Sequence, residues 1–257
     1  MIIEEFSKIQ VLNKNEVRKW ADKVHSLKDI WVPKKVTNDI NIFILGTATY
    51  LDYNEDLSIK GKEYIKNRYK YYNKKYRQDL INIFQPLYNK VISALSINLN
   101  IEKHKIRLSR KLAPPGFHII GSNLFPNNKG ILYGGKIHYD KTHLKHIKEY
   151  PKLDNSSFNT LSFTLPIQLP TGKSGMYVWD YLPNKKMIDL AINLDKENFK
   201  WIDKNKKEVL YEVGEMVVHS GGRPHQLAKL DYGLENEWRI TLQGHGILSD
   251  GFLDIYF

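Results

Sequence analysis

The heptapeptide Gly134-Gly135-Lys136-Ile137-His138-Tyr139-Asp140 holds an imidazole and a carboxylate two positions apart. In an extended strand, residues i and i+2 project from one face, so His138 and Asp140 present nitrogen and oxygen donors side by side. A borderline metal such as Fe(II) accepts that mixture. The other reading of an isolated His-x-Asp is a surface turn, and the pair needs a third donor to carry weight.

The run Tyr211-Glu-Val-Gly-Glu-Met-Val-Val-His-Ser-Gly-Gly-Arg-Pro-His225 offers two candidates. His219 ends an apolar strand, where a core or pocket-lining histidine is the commoner outcome. His225 opens a new β run after a glycine turn, where a side chain can face an open site, and it is the preferred third donor. Further on, Glu237-Trp-Arg-Ile-Thr-Leu242 sets Arg239 in a strand with apolar neighbours. Burying that guanidinium requires a partner. The partner is either an acid such as Glu237 or Asp231, or the carboxylate of a small molecule gripped in a bidentate fork, with Thr241 on the same strand face adding a hydroxyl.

The elements that would position these groups change character near residue 100. Before it, Val11, Val17, Trp20 and Val24 fall at near-helical spacing, with Asn15 as a cap. Residues 57–97 carry Tyr64, Tyr71, Ile81, Phe84, Leu87, Tyr88, Val91 and Leu95 as the apolar faces of one or two long helices. Between them, 41–48 reads as a short buried strand or apolar loop. After residue 100 the chain breaks into short β runs at 105–112, 117–122, 130–138, 159–169, 174–181, 207–213, 215–219, 225–230 and 238–246, with Gly, Pro and Asn between them. Such punctuation predicts a sandwich or barrel. The polar stretch 141–157 reads as an inserted loop or short helix beside His138. The expectation is an α+β chain: a mainly helical region over 1–100 packing on a β core over 101–257, the two forming one structural unit.

Composition narrows the chemistry. With 257 residues the chain can bury a sizeable core. With no cysteine it excludes disulfide scaffolds, thiolate zinc sites, thiol nucleophiles and Cys-held clusters, so a metal must rest on His, Asp or Glu. No apolar run nears the roughly 18 residues of a membrane span, and Met-Ile-Ile-Glu-Glu is not a basic leader, from which a cytoplasmic location is expected. The net charge of +11 invites a nucleic-acid reading, but of 39 basic residues only seven are arginine. A Lys, Asn, Ile and Tyr excess also follows from an AT-rich coding sequence, and base readers lean on arginine.

Taken in order, His138-x-Asp140, His225, Arg239 and Thr241 resemble the Fe(II)/2-oxoglutarate-dependent oxygenases over about residues 105–247. The resemblance implies a double-stranded β-helix (jelly-roll, cupin-like) core. It implies a His-x-Asp…His triad of His138, Asp140 and His225 holding Fe(II), and Arg239 with Thr241 binding the far carboxylate of 2-oxoglutarate. Together with O2, it implies hydroxylation of an unactivated C–H bond with release of succinate and CO2. Because Asp140 is a carboxylate, the halide-binding variant of the family is disfavoured.

The implied substrate is a small molecule, amino acid or peptide. Arg223, in the loop before His225, and His118, in Pro114-Pro-Gly-Phe-His118, are substrate-facing candidates; a solvated arginine and a core histidine are the plainer alternatives. Trp179, Trp201 and Trp238 read as core aromatics. The N-terminal helices either complete the pocket or mediate dimerisation. A cupin-type metal enzyme that does not use 2-oxoglutarate, which would have no need of Arg239, stays open, as does a nucleic-acid-directed oxygenase or binding protein.

Overall fold

The computed structural model describes residues 6–35, 41–46, 59–110, 112–121, 137–140, 160–181, 196–228 and 236–257, with backbone only for 34–35, 41, 59–75 and 196–199. The polar stretch 141–157, most of the run 130–138 and Asp231 lie outside them.

Two sheets, antiparallel but for one edge pair, form the core. The larger contains β1 (Ser7–Gln10), β2 (Val32–Lys35), β3 (Asn41–Leu45), β4 (Ile106–Leu108), β5 (Gly116–Gly121), β6 (Thr160–Gln168), β9 (Glu215–Ser220), β11 (Trp238–Ser249) and β12 (Phe252–Tyr256). Its order is β1-β9-β6-β11-β5-β3-β2, with β12 on the far end of β11 and β4 parallel to β12. The smaller sheet runs β10 (His225–Leu227), β7 (Gly175–Val178), β8 (Lys207–Leu210). This is the jelly-roll arrangement that the resemblance implies, in keeping with the sandwich or barrel that the β punctuation predicts. The helices are α1 (Lys14–His25), α2 (Ile59–Leu99) and α3 (Lys196–Asn205).

Two expectations for the N-terminal third need correction. Helix α1 is capped by Asn13, not Asn15: the Asn13 Oδ1 accepts from the backbone N–H groups of Asn15 and Glu16, and the Glu16 carboxylate accepts from the Asn13 N–H, a complete capping box. The residues before the cap are not helical but form β1, which pairs with β9, while β2 and β3 extend the sheet beyond β5. Alternation in so short a run as Ser-Lys-Ile-Gln gives little periodic signal, so the sheet partner decides.

The two faces of the larger sheet differ sharply, and this positions the site. Phe117 and Ile119 of β5, Leu161, Phe163 and Leu165 of β6, Met216 and Val218 of β9, and Ile240 and Leu242 of β11 pack against Trp20 and Val24 of α1 and Phe84, Leu87, Val91 and Leu95 of α2. Fully burying each such side chain contributes about 1.5–3 kcal/mol. Because side chains alternate, the intervening residues must face the smaller sheet. They are His118, Ser162, Thr164, Val217, His219, Arg239, Thr241, Gln243 and His245. Val217 meets Met176, Val178 and Tyr211 across the gap, which closes the core between the sheets. Arg77 Nη1 donates to the Leu112 carbonyl at 2.7 Å and the Tyr88 hydroxyl to that of Pro115 at 2.7 Å, tying α2 to the loop entering β5.

Candidate metal centre

His225 enters the site through a sheet change. Strand β9 belongs to the larger sheet and β10 to the smaller, and residues 220–223 turn between them with the Arg223 N–H on the Ser220 carbonyl at 3.1 Å. Gly221 fits closely there: a Cβ would stand 2.7 Å from Thr160 Oγ1, so that a larger residue would displace the Thr160 side chain. The imidazole Nδ1 of His225 lies 2.9 Å from the Arg223 carbonyl. A carbonyl only accepts, so Nδ1 carries a proton, and in the neutral ring it is the Nε2 lone pair that faces the interior.

His138 sits directly beside it. The two residues form an isolated antiparallel bridge, exchanging N–H···O bonds of 2.9 and 3.0 Å, and their rings are 4.3 Å apart. Asp140 lies in a turn rather than a continuous strand, yet reaches the same point: its Oδ1 is 3.6 Å from His138 Nε2 and its Oδ2 is 3.3 Å from His225 Nε2. One ligand atom from each of the three residues lies within 4.8 Å of the others. Metal–ligand bonds near 2.1 Å at right angles put donors about 3 Å apart; Asp140 already stands 3.6 and 3.3 Å from the two imidazole nitrogens, so its share of closing on an ion is a few tenths of an ångström. Two imidazoles and one carboxylate therefore fit a divalent metal with open positions on its other side.

Electrostatics suit the same role. Burial pushes the Asp140 carboxyl upward, but His225, His245 and His138 together outweigh it and hold it well below the usual carboxylate range. For His225, burial favours the neutral ring, and Asp140 and the Arg223 carbonyl reverse this to a net upward shift. The two form a tightly coupled acid–base pair, each favouring the other's charged form.

The remaining sequence candidates fall at different distances from this point. His219 packs its ring edge-on to His225, 4.7 Å between centroids, and donates Nδ1–H to its neighbour's carbonyl; it lies beside the ligand group and outside it. Burial, then the nearby His225, lowers its pKa to about 3. Arg239 is 1% exposed on the interior face of β11, with Nε 3.3 Å from Ser174 Oγ, Nη1 3.4 Å from Thr241 Oγ1, and its guanidinium over the Tyr211 ring at 5.5 Å. Arg239 and Thr241 thus share one face, as the i, i+2 spacing requires. Glu237 instead accepts from the Thr171 N–H at 2.9 Å.

Arg223 lies over the Phe6 ring at 5.0 Å and pairs with Asp180 at 3.4 Å. His118 stands on the inward face of β5 opposite Thr241, its ring 5.2 Å from that of Phe257. Trp179 is core, donating to the Ile202 carbonyl at 3.0 Å. The residue missed from sequence is His245, whose Nδ1 is 3.8 Å from Asp140 Oδ2. The signal was present: Arg239, Thr241, Gln243 and His245 continue one i, i+2 series along β11.

The fold and its His-x-Asp…His cluster define a jelly-roll with a metal-competent centre. It aligns with crystal structures of an N-substituted L-amino acid dioxygenase from Burkholderia ambifaria AMMD, with a TM-score of 0.55 and, for the complex with alpha-KG, 0.52. Both alignments cover 98% of this chain and 86% of that one at 11% identity, so the likeness is one of fold. No protein-family model and no curated protein matches the chain.

Proposed function

We infer that this protein is an Fe(II)- and 2-oxoglutarate-dependent oxygenase that hydroxylates a C–H bond of a small molecule, amino acid or peptide. The observation that carries the reading is the joint placement, on the interior of one jelly-roll, of the His138, Asp140, His225 cluster and the buried Arg239–Thr241 pair. Bound Fe(II) with 2-oxoglutarate and O2 supplies the oxidising power, yielding succinate, CO2 and a hydroxylated product.

The chain's own residues bind and orient. His138, Asp140 and His225 would hold the metal through two imidazole nitrogens and a carboxylate oxygen, with further positions left for the co-substrate and O2. Arg239, with Thr241 beside it, presents donors to the far carboxylate, so that 2-oxoglutarate enters in one orientation. Tyr211 lines the same wall with a hydroxyl that burial keeps protonated. Asp140 supplies a carboxylate where a halide would otherwise need room, which favours hydroxylation.

The test is anaerobic addition of Fe(II) and 2-oxoglutarate to the metal-free protein, watching for the weak visible metal-to-ligand charge-transfer band. It should form in wild type and be absent in Asp140→Ala. A wild-type protein that binds Fe(II) and shows no band would refute the use of 2-oxoglutarate. Succinate release across amino acids and peptides then sorts the substrates.

A further inference from the structure

Asp140 has a neighbour on the sheet side that the triad pattern does not include. His245 Nδ1 lies 3.8 Å from Asp140 Oδ2 and 3.0 Å from Ser162 Oγ. Ser162 and His245 are register partners on β6 and β11, and both are buried. The His245 ring also rests 5.6 Å from Tyr256 of β12. Three strands of the larger sheet thus fix this imidazole, whereas Asp140 belongs to a turn. His245 is not itself in the group whose donor atoms converge.

A carboxylate that binds a metal through one oxygen leaves the other to be oriented by a neighbouring donor. The last torsion of aspartate is soft and roughly two-fold, so without such a donor the group can turn to bind through both oxygens or swing away. Of the two Asp140 oxygens His245 approaches Oδ2, which lies closer still to His225 Nε2 at 3.3 Å, while Oδ1 faces His138 at 3.6 Å. Nδ1 has one hydrogen-bonding position, and Ser162 Oγ takes it at 3.0 Å; with the hydroxyl as acceptor, Nδ1 carries the proton and turns its positive edge toward Asp140 Oδ2 at 3.8 Å, an electrostatic contact longer than a hydrogen bond.

We propose that His245, anchored by Ser162, is a positioning residue that sets the rotation of the Asp140 carboxylate toward the metal. This rests on the reading of His138, Asp140 and His225 as ligands. Its effect falls on metal affinity and coordination geometry: a carboxylate bound through both oxygens would take up a position the co-substrate needs.

The experiment is Co(II) titration of the metal-free protein by calorimetry, with the visible d–d spectrum of each complex and near-ultraviolet circular dichroism as the check of folding. His245→Phe keeps a ring and removes the donor; it should weaken Co(II) about 10- to 100-fold and alter the d–d bands. His245→Asn places an amide nitrogen where Nδ1 stands and should recover most of the affinity and the wild-type spectrum. Ser162→Ala should shift the spectrum in the direction of His245→Phe, with a smaller loss of affinity.

A folded His245→Phe protein with wild-type affinity and bands overturns the proposal, and so do Phe and Asn variants that lose equally. Should His245→Phe not fold, an unchanged spectrum in Ser162→Ala overturns it. Wild-type protein that does not bind Co(II) at all would instead remove the ligand reading on which this one rests.

Discussion

His138 and His225 are joined through their backbones before any metal holds them: each N–H bonds to the other's carbonyl, at 2.9 and 3.0 Å. Residues that exchange both bonds keep their side chains on one face of the pair. The carboxylate of Asp140 then completes the set from the turn that follows. The imidazoles are thus preorganised by sheet pairing, and Asp140 is the member of the cluster whose removal leaves that pairing intact.

It follows that Asp140→Ala should fold and fail to bind metal. At a Co(II) concentration 100 times its dissociation constant, linkage stabilises the wild-type protein by about 2.7 kcal/mol, a rise in Tm of about 5–10 °C for a chain of this size. Asp140→Ala should show a cooperative transition with no rise. Equal shifts in the two proteins would place the metal elsewhere.

Arg239 tests the co-substrate separately from the metal. Arg239→Gln removes the charged fork, which corresponds to about 2–4 kcal/mol, or roughly 30- to 1,000-fold in 2-oxoglutarate affinity. Co(II) affinity should change little, since the guanidinium is held among Ser174, Thr241 and Tyr211 rather than among the ligands. Arg239→Lys keeps the charge without the fork and should fall between. A variant that keeps turnover while releasing no succinate would favour the cupin-type alternative.

The grouping of His138, Asp140 and His225 was legible in the sequence through the His-x-Asp…His order of the resemblance and, for His225, through the glycine turn before it. Alternation then carried Arg239 and Thr241. What sequence could not show is which face of a strand meets helices and which meets the smaller sheet. That division depends on α1 and α2 covering one side, and it decides that His118 and His245 point inward. Strand β1 escaped notice for a related reason: four residues supply no periodicity, and only pairing with β9 defines them.

The division between faces can be tested through Phe84. This α2 residue is fully buried, 4.7 Å from the Phe117 ring and 5.8 Å from Trp20, on the side of the larger sheet away from the metal centre. Phe84→Ala should cost about 3–5 kcal/mol by denaturant unfolding. The Co(II) dissociation constant of the folded fraction should stay within about twofold. Coupled losses of stability and affinity would show that helix packing sets ligand geometry directly.

His118 provides a pH test inside the interior. Burial, reinforced by the nearby charge of Arg239 and by His245 and His138, lowers its pKa to about 3 against an ordinary 6.5, with Asp140 opposing. Between those values the unfolded chain binds a proton at this position and the native protein does not, so stability falls as pH drops through the window from about 6.5 to about 3. The slope for one such group is about 1.4 kcal/mol per pH unit once pH is well inside the window. His118→Asn removes this titration and leaves the other buried histidines and Asp140 in both proteins. Urea unfolding of the metal-free pair at pH 7, 6, 5 and 4 should show the wild-type protein losing stability more steeply by that amount. Parallel profiles would mean that His118 takes up its proton in the native state near its ordinary pKa, with water reaching its ring.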